Sequence, residues 1–248
     1  MFRKVEKKTI AAIAAEWDAL APIRYQQIVS GVDLTFKHVL APALLSLASA
    51  ENADTVVDAG CGVGILTNLL AAQTREVVGV DPSPESISIA RAHFGRSAGF
   101  FLGTLETYAA NCRAEADLIV ANMVLMDVLD LDSFIKSAHR LLRPGGAFIF
   151  STTHPWFWPV YYGYVDEPWF KYEEETVFES PFRISAHPNV DLFSTQVHRP
   201  LENYVNSIVG AQFAIERLYE PMPTAEIDAR YPEPWRFPRY LLGVCRRQ

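Results

Sequence analysis

The residues best able to do chemistry crowd into one stretch, "TVVDAGCGVGILTNLLA", Thr55 to Ala71. Gly60, Gly62 and Gly64 fall at alternate positions there, with Asp58 just ahead of them. Glycines so dense leave the backbone bare, so a ligand can lie directly against it. The spacing is G-x-G-x-G, not the G-x-G-x-x-G that brings a helix N-terminus onto a pyrophosphate. A carboxylate at Asp58 would repel a phosphate and suits a ligand with an ammonium group. Asp81 ends the next apolar run, 23 residues further on. An acid at that place accepts both hydroxyls of a ribose. The ligand implied has a cationic amino-acid end and a ribose, and no phosphate. Cys61, inside the turn, reads as a small uncharged filler rather than a reactive thiol.

Two histidines stand where a base is useful. His154 follows an apolar run, "AFIFST", and His198 comes from the far end of the segment that begins there. Either can accept a proton from an acceptor or hold the segment by hydrogen bonds, and the sequence leaves both roles open. His187 reads as a solvated loop residue. Glu173, Glu174 and Glu175 are consecutive, point in different directions and read as a solvated face, so no metal site is expected.

These residues need a scaffold, and the pattern around them supplies one. "TVVDAG", "EVVGVD", "AGFFLG", "ADLIVAN" and "AFIFST" read as strands; "GILTNLLAAQ", "SPESISIARAHF" and "LDSFIKSAHRLLRPGG" read as helices between them, the last ending at Pro144, Gly145 and Gly146. Alternating strand and helix predicts a parallel sheet with right-handed crossovers. Residues 1–50 read as a helical cap. The opening "MFRKVEKKTIAAIAAEWDAL" is faintly like a signal peptide, but Glu16, Trp17 and Asp18 occupy the cleavage region, so it is read as part of the fold. Residues 51–153 form the core and 154–198 an insertion. The final part, 199–248, returns to the core through a helix, a strand at "AIERLYE", a Pro-rich loop and a last strand, "RYLLGVCRR". The insertion begins with nine aromatics in seventeen positions over residues 156–172, including Trp156, Phe157, Trp158, Tyr161, Tyr162, Tyr164, Trp169 and Phe170. They suit the wall of a pocket for a flat or greasy molecule; a satellite core or a homodimer contact would use the same residues.

Composition narrows the class. The chain has 248 residues, enough for one α/β domain with an insertion, and half of them are apolar. Its 22 basic and 29 acidic residues give −7, which disfavours a nucleic-acid partner. No apolar run reaches the roughly 18 residues of a membrane span. Three scattered cysteines suit a reducing cytoplasm.

Five segments in order carry a resemblance. "VVDAGCGVG", "VVGVDPSPESISIAR", "GTLETY", "ADLIVANMVLMDV" and "LLRPGGAFIFST" resemble the motifs of the class I S-adenosylmethionine-dependent methyltransferase family. The resemblance implies a Rossmann-like, seven-stranded sheet with helices on both faces. Its last strand would insert antiparallel between strands five and six, with the N-terminal helices and the aromatic insertion as a lid. S-adenosylmethionine would be the cofactor and S-adenosylhomocysteine the product. By position, Gly60 to Gly62 would lie against the methionine moiety, with Asp58 near its ammonium. Asp81 would hold the ribose and Pro82 the adenine face. The turn Thr104–Leu105–Glu106 would meet the adenine edge, while the Asn122 carbonyl and Met123 would stand near the methionine end. Tyr25, or Arg24 beside it, would come over the methionine carboxylate. The expected activity is SN2 methyl transfer to O, N or C of a small aromatic or lipophilic acceptor, with His154 the first choice of base and His198 the second. The alternatives are methylation of RNA or protein, or cofactor binding without turnover.

Overall fold

The computed structural model describes residues 2–112, 115–185 and 190–248; His187 lies outside them. The first segment contains β1 (Arg3–Lys4), α1 (Ile10–Val29), a π-helical turn at Phe36–Leu40 and α2 (Ala41–Ala50). The core follows as β2 (Thr55–Ala59), α3 (Ile65–Ala71), β3 (Glu76–Asp81), α4 (Pro84–Phe94), β4 (Gly99–Leu102), α5 (Leu105–Asn111), β5 (Ala116–Asn122), α6 (Leu131–Leu141) and β6 (Leu142–Thr153). The insertion holds α7 (Trp158–Tyr162), β7 (Thr176–Pro181) and β8 (Phe193–His198). The chain ends with α8 (Leu201–Gly210), β9 (Phe213–Tyr219), α9 (Ala225–Asp228) and β10 (Tyr240–Arg247).

The large sheet runs β4-β3-β2-β5-β6-β10-β9. Its pairs from β4 to β6 are parallel, while β10 is antiparallel to both β6 and β9, as the resemblance implied. Strands buried on both faces read as unbroken apolar runs, and alternate residues feed opposite cores. Val56, Leu118, Ile149 and Val244 pack on the side of α2 and α3. Val57, Ile119, Phe148 and Cys245 pack on the side of α5, α6 and α8. Burying each such side chain contributes about 1.5–3 kcal/mol, and this holds the strand ends in register.

Three local differences from the sequence reading have physical causes. α6 stops at Leu141, and "RPGG" opens β6 rather than capping the helix. Arg143 is ion-paired to Asp117 at 2.5 Å there, and Gly145 takes φ +74°. The turn Thr104–Leu105–Glu106 is the start of α5, with the Thr104 hydroxyl accepting from the Thr107 amide at 3.2 Å. β1 has no local signal at all. It forms because Arg3 and Lys4 find partners in Glu179 and Phe178, at the edge of a small sheet ordered β1-β7-β8.

The insertion is fastened to the core by buried polar contacts. Arg199, 1% exposed, donates to the carbonyls of Leu125, Val128 and Leu129 at 2.9, 2.6 and 3.2 Å. It also pairs with Glu175 at 2.7 Å. The Val197 amide donates to the Met126 carbonyl at 2.6 Å. From the other side, Glu16 of α1 accepts from the Thr195 amide at 2.8 Å. Replacing Arg199 by methionine leaves three carbonyls without their donor, while the 42% exposed Glu175 side chain can turn to water. The change should cost about 1–3 kcal/mol by urea denaturation. Limited proteolysis should then cut the insertion first; a loss under about 1 kcal/mol with unchanged proteolysis would refute this fastening role.

Candidate active site

A cavity of about 840 Å³ lies beyond the carboxyl ends of the parallel strands, toward the upper end of about 300–1,000 Å³ for small-molecule sites. The glycine turn forms its floor. Gly60 and Gly62 take φ +74° and +51°. A Cβ on Gly60 would come within 2.3 Å of Val124, whereas one on Gly62 would meet nothing within 4 Å. The backbone at Gly62 is therefore open to a ligand. Gly64 is different. Expected to touch the cofactor, it stands outside the cavity lining, and its missing Cβ makes room for Ala90 and Phe100 at 2.8 and 3.0 Å. It is a packing glycine at the start of α3. The Cys61 thiol likewise lies against the bare face of Gly79, while the residue's remaining atoms reach the cavity wall.

Asp58 is 1% exposed. Its Oδ2 accepts from the Thr67 hydroxyl at 2.6 Å, and its Oδ1 has no partner among the described residues. Burial outweighs the Thr67 hydrogen bond and pushes the carboxyl up to about 7. Asp81 accepts from the Gly62 and Ser83 amides, each at 2.9 Å, yet burial still pushes it up to about 6. An orphaned buried oxygen beside an open glycine backbone fits a cationic ligand, and Asp81 keeps lone pairs for hydroxyls. These residues therefore fit S-adenosylmethionine. Pro82, Thr104, Leu105, Glu106, Asn122 and Met123 share the same wall. Met123 is held at φ +58° by bonds from its amide to the Ser151 carbonyl and hydroxyl, both at 3.0 Å. Strain of this kind persists where the surroundings over-determine it.

Three expected residues stand elsewhere. His154 is absent from the cavity wall. Its Nδ1 accepts from the amides of Trp156 and Phe157, so Nε2 carries the proton and donates to Glu220 at 2.8 Å. His198 is 4% exposed, and its Nδ1 faces the Tyr164 hydroxyl at 3.3 Å while Nε2 donates to the Tyr172 carbonyl at 3.0 Å. Both imidazoles fasten the insertion, and neither lines the cavity. Tyr25 stacks on His93, centroids 4.4 Å apart, on the outer side of α1. Its neighbour Arg24 does reach the wall, paired with Asp33 at 2.9 Å.

The insertion's aromatics divide between the two roles foreseen. Trp158, Tyr161 and Tyr162 line the cavity. Tyr164, Trp169 and Phe170 pack with Phe178 and His198 as a lid core. Trp156 is 61% exposed.

Other wall residues were missed. Ile10, Ile13, Trp17, Ala21 and Ile28 line the cavity on the same helix face as the expected Arg24; their three-to-four spacing is a signal present in the sequence. Asp127, in the loop after β5, also lines it. Burial holds its carboxyl well above the usual range, with Glu16 and Asp81 adding to the effect and the Trp17 side chain opposing it. No pattern marked Asp127, because only the folded loop turns it inward.

The raised carboxyls of Asp58 and Asp81 set a pH dependence. Their folded pKa values exceed the ordinary 3.8, so the ligand-free fold binds protons more tightly than the unfolded chain. Its stability therefore falls as pH rises from about 4 to 7. A cationic ligand reverses the preference and favours the carboxylates. Affinity for S-adenosylmethionine should weaken on acidification through about pH 7 and then 6, and binding near pH 6.5 should release protons. Calorimetry in buffers of different ionisation enthalpy reads this directly. Asp58→Asn should bind more weakly and lose the upper step; an unchanged profile would refute the assignment.

Comparison with known proteins agrees with this site. A methyltransferase-domain family model matches residues 34–182. A ubiquinone biosynthesis O-methyltransferase from Methylobacterium sp. is 39% identical over 101 residues, which cover 40% of each chain. One from Xanthomonas oryzae pv. oryzae is 31% identical over 155 residues, 61% of this chain and 62% of that one. The chain thus spans less than two thirds of these curated relatives. The crystal structure of an S-adenosylmethionine-dependent methyltransferase from Mesorhizobium loti superimposes with TM-score 0.61 at 26% identity, over 83% of this chain and 96% of that one. With more than half of its length inside the family match, the chain belongs to the methyltransferase-domain family, among the S-adenosylmethionine-dependent methyltransferases.

Proposed function

We propose that the chain transfers a methyl group from S-adenosylmethionine to O, N or C of a small aromatic or lipophilic acceptor. The observation that best supports this is the cavity's lining: the open glycine turn faces aromatic walls from Trp17, Trp158, Tyr161, Tyr162 and Phe182. The curated relatives' name, O-methyltransferase, favours oxygen among the three atoms. An RNA substrate agrees poorly with a net charge of −7, and a protein substrate with a roofed cavity. Buried Cys61 and Cys245 thiols suit a reducing compartment such as the cytoplasm. Among the described residues, no helix is long and apolar enough to cross a membrane.

When bound, S-adenosylmethionine supplies an electrophilic methyl on a sulfonium that leaves as a neutral thioether. The chain's own residues position and exclude. Asp58 and the Gly62 backbone hold the amino-acid end, Asp81 the ribose, and the lid keeps water from the reacting atoms. Asp127 is the acid placed to take the acceptor's proton. A carboxylate whose pKa is raised by burial is, once ionised, a stronger base than an exposed one. Its basic form exists only above that raised value, so kcat should climb with pH as Asp127 ionises.

Calorimetric titration with S-adenosylmethionine and S-adenosylhomocysteine comes first. Asp81→Ala should weaken both about 10- to 100-fold. Absence of binding to folded wild-type protein would sink the reading. Asp127→Asn should leave cofactor affinity intact and lower kcat about 100- to 10,000-fold, with acceptor turnover followed as S-adenosylhomocysteine release. A full-speed variant would remove Asp127 from the role, and absence of turnover with any acceptor would favour cofactor binding without transfer.

A further inference from the structure

Most of the partly or fully buried arginines of this protein face a carboxylate. Arg24 has Asp33 at 2.9 Å, Arg199 has Glu175 at 2.7 Å, and Arg246 has Glu51 and Glu216 at 2.6 and 2.8 Å. Arg239 breaks that pattern. It is 4% exposed, lines the cavity, and has no carboxylate within ion-pair distance among the described residues. Its guanidinium lies 3.8 Å over the Tyr161 ring, 4.5 Å from Trp235 and 5.6 Å from Tyr231. Among the described residues it donates to neutral oxygens, Ser185 Oγ at 3.5 Å and the Glu233 carbonyl at 3.2 Å. A guanidinium has five N–H donors, so most remain for a ligand. Aromatic faces offset part of a cation's desolvation, but a buried charge without a counter-ion stays costly.

The position is fixed from two sides. The Arg239 carbonyl accepts from the His154 amide at 2.9 Å, and the next residue, Tyr240, pairs with Thr153 at the end of β6. Arg183, on the same wall, lies 4.4 Å over Tyr162 and donates to that residue's carbonyl. Arg239 and Arg183 give the wall made by the insertion and the segment before β10 two cations against the carboxylate of Glu233, whereas Asp58, Asp81 and Glu106 make the cofactor wall acidic.

We propose that the methyl acceptor is an aromatic carboxylic acid, its carboxylate received by Arg239 with Ser185 and its ring lying between the cavity's aromatic walls. This rests on the reading of the cavity as a methyl-transfer site. A single buried guanidinium balances a monoanion and matches the two oxygens of a carboxylate. The atom methylated is then a second nucleophile of the same molecule, since the carboxylate is turned away toward Arg239.

The test is binding to protein saturated with S-adenosylhomocysteine. Benzoic, phenylacetic, cinnamic and indole carboxylic acids are each titrated beside the matching primary amide. Acids should bind about 100-fold tighter than their amides, and Arg239→Gln should abolish the difference while keeping its affinity for S-adenosylhomocysteine. Arg239→Lys should restore part of it. Equal binding of acids and amides, no acid binding at all, or a preference that survives Arg239→Gln would overturn the proposal. The acid–amide comparison uses wild-type protein, so it stands even if a variant does not fold. Failure to bind S-adenosylhomocysteine would bring down the cofactor reading and this proposal together; failure confined to the acids would bring down only this one.

Discussion

Arg199 connects the parts of this molecule that sequence distance keeps apart. Its guanidinium gathers three carbonyls from the loop between β5 and α6 and a carboxylate from the insertion. That loop carries Met123, Val124, Met126 and Asp127, all of which face the cavity. The loop's shape and the lid's seat are thus set by one buried cation, and neither would be defined without the other. His154 and His198 extend the arrangement, each spending its ring nitrogens on contacts within the lid and its anchorage. Polar groups this deeply buried must be satisfied, which makes the lid's position specific and not merely greasy.

Electrostatics divides the cavity into two halves. At the ends of β2 and β3, burial raises the carboxyls of Asp58 and Asp81 to about 7 and about 6, so that a positive partner favours their ionised forms. On the lid side, arginines lie over tyrosine and tryptophan rings. In a low-dielectric space these opposed charges select the orientation of whatever fills it more strongly than they would in water.

What the sequence discloses is what local constraint produces. The strands of the parallel sheet were legible because burial on both faces demands unbroken apolar runs, and the glycine turn because its backbone conformation admits few other residues. Gly64 shows the limit: its type announces a tight approach but does not say whether a ligand or Phe100 makes it. The two histidines were misleading for a related reason. His154 does follow the end of β6 and His198 is the last residue of β8, yet the direction of an imidazole depends on partners such as Glu220 and Tyr172. Asp127 and Arg239 were invisible as site residues because nothing nearby in sequence distinguishes them from ordinary surface charges. The aromatics of the insertion were read as wall or core and proved to be both, divided residue by residue.

β1 carries a consequence for how the chain is made. Arg3 and Lys4 pair with Glu179 and Phe178, and Lys8 bridges to Glu179 at 2.6 Å. Arg3 and Lys4 therefore wait for a strand synthesised much later. At about 5–20 residues per second that delay lasts on the order of ten seconds or more. Meanwhile the apolar face of α1, which becomes the cavity wall, has no lid to meet. Assembly of the nascent chain thus runs from the middle outward, and β1 is among the last elements to settle.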